Sequence, residues 1–326
     1  MSTLFFPRAP HRLLSVLGVL LCAALLAGPA QAQVAQSSAL FLRIEPDSRS
    51  AGMGNAGVAL ADNANAMFWN PSGLAFQENT QVGLTHANWL PEFNANLFYE
   101  YLVGTYHVDG VGTFGGNVQF LNLGEIEVRN GDNVVLDVVS SYQLAVATSY
   151  GRKIGDRLGV GTSVRFIYSK LAAAPGEGGG DGKASTLATD LSALYRSAPF
   201  SLAGTEATFS TGLNIANLGG TLDFNDQTRA TDPIPASFRI GPALTIDFDE
   251  YNSLTLATDF NKSLVSVDQE VTPDGDTVRV GNNGFQALFD SWGSARGQVV
   301  EGEAQSLSLL QQFTVGTGLE YWYSDL

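Results

Sequence analysis

Val160-Gly161-Thr162-Ser163-Val164-Arg165-Phe166-Ile167-Tyr168 alternates strictly between two kinds of side chain. In an extended chain Val160, Thr162, Val164, Phe166 and Tyr168 share one face, and Gly161, Ser163, Arg165 and Ile167 take the other. The same pattern recurs downstream and upstream. Tyr142, Leu144, Val146, Thr148 and Tyr150 alternate with small and polar residues, as do Phe238 to Phe248, Leu254 to Phe260 and Phe313 to Tyr321, with an occasional charge among them. Aromatic residues stand at the ends of these apolar faces (Tyr142 and Tyr150, Phe238 and Phe248, Tyr168, Tyr321 and Tyr323). That is the arrangement of interfacial girdles on a membrane barrel. A soluble sandwich would set its apolar face on a second sheet and its polar face on bulk water.

Strands are expected near residues 81–88, 96–108, 112–121, 141–152, 157–170, 185–197, 207–217, 236–248, 252–263 and 311–323. Short connections alternate with long ones over 122–140, 171–184, 218–235 and 264–310. Short turns on one side and long loops on the other are the barrel habit. The fold class expected is therefore all-β: an antiparallel transmembrane outer-membrane β-barrel, with about ten strands in residues 80–326. Residues 33–79 lack the alternation, are rich in Ala, Gly and Asn, and are expected to form a hatch inside it.

The first 32 residues read as a cleaved signal peptide. Arg8, His11 and Arg12 make its basic region, Leu13 to Leu26 its apolar run, and Ala30-Gln31-Ala32 its cleavage site. Export to the cell outer membrane, in contact with its lipid, follows from the leader and the barrel pattern together. Cys22 is the sole cysteine and lies in the leader. A disulfide framework and a cysteine metal site are excluded from the mature chain. Cleavage removes Arg8 and Arg12 and no acid, so 17 basic residues fall to 15 against 32 acidic, a balance of −17. No nucleic-acid partner is expected of so acidic a chain.

The search for chemistry returns little. The chain has three histidines, no H-E-x-x-H, P-loop or G-x-S-x-G motif, and no nucleophile–base pairing. It reads as a non-enzyme, and no cofactor and no metal site is expected. Asp223, Asp226 and Asp232, and Asp274 and Asp276, read as solvated acidic loops whose spacing matches no calcium loop. Gly176 to Gly182 reads as a flexible outer loop. Glu100, Arg165, Asp190, Arg239, Asp259 and Glu320 are expected to face inward, holding a plug or lining a polar conduit. The 264–310 loop carries an apolar helical patch, Phe285, Leu288, Phe289 and Trp292, that reads as a lid or as a partner surface.

One segment is more specific. Ser48-Arg49-Ser50-Ala51-Gly52-Met53-Gly54-Asn55-Ala56-Gly57-Val58-Ala59 is followed by Phe68-Trp69-Asn70-Pro71-Ser72-Gly73-Leu74-Ala75. It resembles the N-terminal hatch of FadL-like outer-membrane proteins, with Ser72 in place of an Ala. Arg49 to Gly54, Trp69-Asn70-Pro71, Asn88-Trp89-Leu90-Pro91, Leu121 to Ile126 and Glu320-Tyr321-Trp322-Tyr323 are similar to the PorV family within that group. Phe285 to Gly297 resembles that family's corresponding loop but departs in its middle.

The resemblance implies a barrel of about fourteen strands, so a chain ending at Leu326 is expected to lack the last ones. It implies a component of type IX secretion that binds cargo through a C-terminal secretion domain. Such a component would carry cargo from the translocon to the proteins of the attachment complex. The outer-loop residues expected to meet these partners are Trp89, Leu90, Pro91 and Phe93, with Phe289 and Trp292. The alternative is a FadL-type channel for hydrophobic small molecules. Gly52, Gly54, Gly57, Asn70 and Pro71 are expected to set the turns of the hatch, as a fixed plug or as a gate.

Overall fold

The computed structural model describes residues 37–93, 96–171, 182–224, 231–271, 277–293, 295–300 and 303–323. The expected leader, its cleavage site, most of the Gly176 to Gly182 loop, and Asp226, Asp274 and Asp276 lie outside them.

The strands in chain order are β1 (Gln81–Asn88), β2 (Phe98–Val108), β3 (Gly112–Arg129), β4 (Val135–Ile154), β5 (Leu158–Lys170), β6 (Lys183–Arg196), β7 (Phe200–Leu202), β8 (Thr205–Gly219), β9 (Thr221–Leu222) and β10 (Asp232–Pro233). β11 (Ser237–Asp247), β12 (Asn252–Ser263), β13 (Val267–Val271), β14 (Thr277–Gly281), β15 (Ala295–Val300), β16 (Glu303–Leu307) and β17 (Phe313–Tyr323) follow. One 11-stranded sheet runs β1-β2-β3-β4-β5-β6-β8-β11-β12-β17, with β7 folded onto β8. Every pairing is antiparallel between sequence neighbours on this path, as in β5 and β6, where Val164 faces Thr189 and Phe166 faces Leu187. The connections after β5, β8 and β12 leave the sheet at one end, and the short turns after β2, β4 and β11 at the other.

The alternation sorts the two faces. On the outward face Val82, Leu84, Leu102, Tyr106, Phe114, Val164, Phe166, Leu187, Ile240, Val315 and Leu319 are all exposed. Aromatic rings line both ends of that face. Toward the long-loop end Phe98, Phe120, Tyr142 and Tyr168 stand on four successive strands with centroids 6.0, 5.7 and 5.9 Å apart. Toward the short-turn end Phe114 and Tyr150 lie 5.0 Å apart. Tyr142 and Tyr150 share β4, separated by about 27 Å at the ordinary rise of a strand.

The inner face is small where the hatch backbone presses on it. A side chain at Gly161 would stand 2.3 Å from Ser72 N, and one at Gly318 would stand 2.2 Å from Met53 O. Both edge strands are tied to the hatch. Thr85 of β1 donates its hydroxyl to Pro46 O at 2.6 Å, and Gly316 and Gly318 of β17 pack on the backbone of Met53 to Asn55. The sheet therefore wraps around residues 37–77.

Among the described residues β1 and β17 do not pair, and the sheet is open between them. Two expectations need correction. The segment 122–140 is not a loop: β3 and β4 continue as a hairpin to Arg129 and Val135. Gly124, at φ 73°, sits in the register shift that lets β3 resume after Asn122. The inner face is also not uniformly small and polar. Tyr99, Tyr101, Val103, Leu121 and Ile167 are buried there against Phe41, Leu42 and Met67 of the hatch. Burying each such side chain contributes about 1.5–3 kcal/mol.

Candidate functional site

The hatch is fixed at its turns by polar groups that satisfy its backbone. Asp47 caps the helix Ser48–Gly52 by accepting from Ser50 N at 2.8 Å. Its other oxygen accepts from Trp69 Nε1 at 2.6 Å. Asn70 is fully buried: its side-chain amide donates to Val58 O at 2.7 Å and to Ala193 O at 3.2 Å. Its side-chain oxygen accepts from the backbone and the hydroxyl of Ser72. Pro71 begins the buried 3-10 turn Pro71–Phe76, where a missing N–H costs nothing.

Of the three hatch glycines, two are needed. Gly54 has φ +62°, and a side chain there would stand 2.5 Å from Thr317 O. At Gly57 it would meet Trp69 at 2.5 Å, whereas at Gly52 nothing lies within 4 Å. Gly52 simply ends a helix facing open space, so the expectation that it sets a tight turn is not met.

Five inward groups bind the hatch or one another. Asp259 of β12 accepts from Gly57 N and Val58 N, both at 2.9 Å. Glu320 of β17 takes Arg49 in a two-pronged pair at 2.7 and 2.8 Å. Arg239 stacks on the Trp69 ring at 4.7 Å. Arg165 bonds Asp190 at 3.2 Å and also Asn217 Oδ1, and Asp190 accepts from Asn217 N at 2.7 Å.

Glu100 is the exception, expected inside but found outside. It lies on the face of Leu102 and Tyr106, and its carboxylate meets His86 Nδ1 at 2.7 Å. Tyr99 and Tyr101 occupy the inward positions because the hatch offers them an apolar surface.

Arg49, Asp62 and Trp69 were not among the expected site residues, though each joins the hatch to itself or to the sheet. Arg49 also bonds Asp62 at 2.6 Å. Glu320 bonds, Asp62 bonds and their charge together raise the Arg49 pKa above its ordinary range, against the opposing effect of burial. Trp69 accepts from Asn214 Nδ2 through its backbone oxygen at 3.0 Å.

The two candidate partner loops lie at the long-loop end. Trp89 and Leu90 are exposed, at 36% and 51%, and Leu90 has φ 49°. Pro91, Glu92 and Phe93 form a short 3-10 turn between β1 and β2. In the long loop, Asn283 and Gln286 close a capping box on the helix Gly284–Asp290. Phe289 on that helix is 78% exposed. Trp292 is half engaged: its ring meets Phe238 edge-on at 5.4 Å and lies 5.5 Å from Lys262 Nζ. Lys262 sits on the outward side of β12, fully buried, and donates to Gln312 Oε1 at 2.8 Å.

A family model described as Type IX secretion system protein PorV matches residues 28–270. That is well over half of the chain. No curated protein matches it.

Proposed function

The chain belongs to the PorV family of type IX secretion system proteins, and on that premise we propose that it is the outer-membrane member that handles cargo. It spans the membrane through its curved sheet, with the outward apolar face in hydrocarbon. The hatch plugs the interior. Cargo bearing a C-terminal secretion domain docks at the long-loop end, is received from the translocon and is passed to the attachment complex.

The observation that carries the membrane placement is the outward face. A contiguous belt of exposed Val, Leu, Ile and Phe between two aromatic rows has no counterpart on a soluble monomer. The docking surface rests on exposed Trp89 and Leu90, with Pro91 and Phe93 in the turn that follows them, and on exposed Phe289, with Trp292 just after its helix. Aromatic side chains held at a rim are the usual anchors of an interface. The packed interior weighs against the FadL-type channel, because Phe41, Leu42 and Met67 fill the apolar part of the inner face.

The test is replacement of residues 89–93 and 285–292 by Gly-Ser segments of equal length. Cargo secretion and co-purification with translocon proteins are then measured. Loss of both with normal membrane insertion supports the reading; unchanged secretion refutes the surface assignment.

A further inference from the structure

A cavity of about 240 Å³ lies beneath the long-loop end, between the hatch and β8, β11, β12 and β17. Arg43, Arg165 and Arg239 line it, against one carboxylate, Glu45. Of the other acids nearby, Asp190 is engaged by Arg165 and Asn217, while Asp259 gives one oxygen to two hatch amides and keeps its other oxygen, Oδ1, buried and turned to Gly241 rather than to the cavity wall. Arg165 is only 4% exposed, yet its Nε has no hydrogen-bond partner. Arg239 has its face covered by Trp69, which leaves the in-plane N–H fork for an acceptor. Asn261 Oδ1, also on the wall, is buried and lacks a donor. Burying a polar atom without a partner is unfavourable; two such atoms, Arg165 Nε and Asn261 Oδ1, and the Arg239 fork beside them line one space and point to a missing occupant.

What would satisfy them is a planar anion that accepts in-plane N–H bonds, beside an N–H that donates to Asn261. We propose that this cavity binds a carboxylate adjoining an amide N–H, the chemistry of an acylated amino acid. A free small molecule and the terminal residue of a peptide both carry it. The volume admits a molecule the size of an acylated amino acid and not a folded segment. The inference concerns the interior and stands apart from the cargo surface on the outer loops, so the two fail separately.

The test is calorimetric titration of the full chain in detergent micelles with N-acetylglycine, with N-acetylglycinamide, and with an eight-residue peptide in acid and amide forms. The carboxylates are expected to bind and the amides to bind at least about tenfold more weakly. Arg239→Gln is expected to weaken binding by a similar factor. Arg43→Gln, at an exposed position, gives the same readout without disturbing the core. Arg129→Gln, in the distant hairpin, is expected to leave it unchanged. Tighter binding of the peptide acid assigns the site to a peptide terminus, and equal binding assigns it to the small molecule; either supports the carboxylate site. Equal affinity for acids and amides, binding indifferent to both arginine substitutions, or no binding at all would overturn it.

Discussion

Arg49 in the hatch and Glu320 in the last described strand are joined by two parallel hydrogen bonds, Nε to Oε1 at 2.7 Å and Nη2 to Oε2 at 2.8 Å. They stand 271 residues apart in the chain, so the pair closes the longest loop among these contacts. Arg49→Lys keeps the charge and loses the fork. The expected destabilisation is only about 1 kcal/mol, because the Arg49 side chain is 28% exposed and water screens it. The check is the shift in heat-induced loss of the compact band on gel electrophoresis. Glu320→Gln is expected to act similarly, and the double variant to cost little more than either single one.

Asp259 ties the hatch to the sheet through two backbone amides. Its one oxygen serves the amides of Gly57 and Val58 in a buried place. Asp259→Ala strands both donors, at about 1–3 kcal/mol each. Hydrogen exchange at those two amides is expected to rise by orders of magnitude while β5 amides stay protected. Unchanged exchange would show that the hatch is held elsewhere.

Asp249, in the short turn between β11 and β12, accepts from Asn252 Nδ2 at 2.7 Å and from Tyr251 N at 2.9 Å. The Asn252 bond first, and then the Tyr251 amide, hold its pKa below the usual aspartate value. A depressed carboxylate stabilises the folded turn above the unfolded pKa. That contribution disappears as pH falls through the lower folded value. An NMR titration of the Asp249 carboxyl is expected to give a midpoint below that of a model aspartate. In Asn252→Ala the midpoint is expected to move back up.

Much of the sheet is legible in the sequence because side-chain period and strand geometry coincide. β1 and β12 run over the residues that alternation assigns, 81–88 and 252–263. The hatch is legible as the segment where alternation stops. Glu100 is misplaced for a physical reason: Phe98-Tyr99-Glu100-Tyr101-Leu102-Val103 is apolar on both faces, so the one charge looks like the inward residue. The inward side is in fact where Tyr99 and Tyr101 meet Phe41, a contact between segments that no local pattern encodes. Lys262 is a second case. By parity it belongs outside, and only the folding of the long loop over it, through Gln312 and Trp292, explains a fully buried lysine there. The extension of β3 past Asn122 was hidden by Gly124, whose chemistry reads as a turn but here makes a bulge.

The claim that the outward face meets hydrocarbon is tested most directly with nitroxide labels in the reconstituted mature chain, placed one at a time at Leu102, Val164, Leu187 and Leu319. All four side chains are exposed on that face. The account predicts fast relaxation by dissolved oxygen and little by a water-soluble nickel complex at these positions, with the reverse at Asp109 in a short turn. Nickel access at the four wall positions equal to that at Asp109 would contradict it.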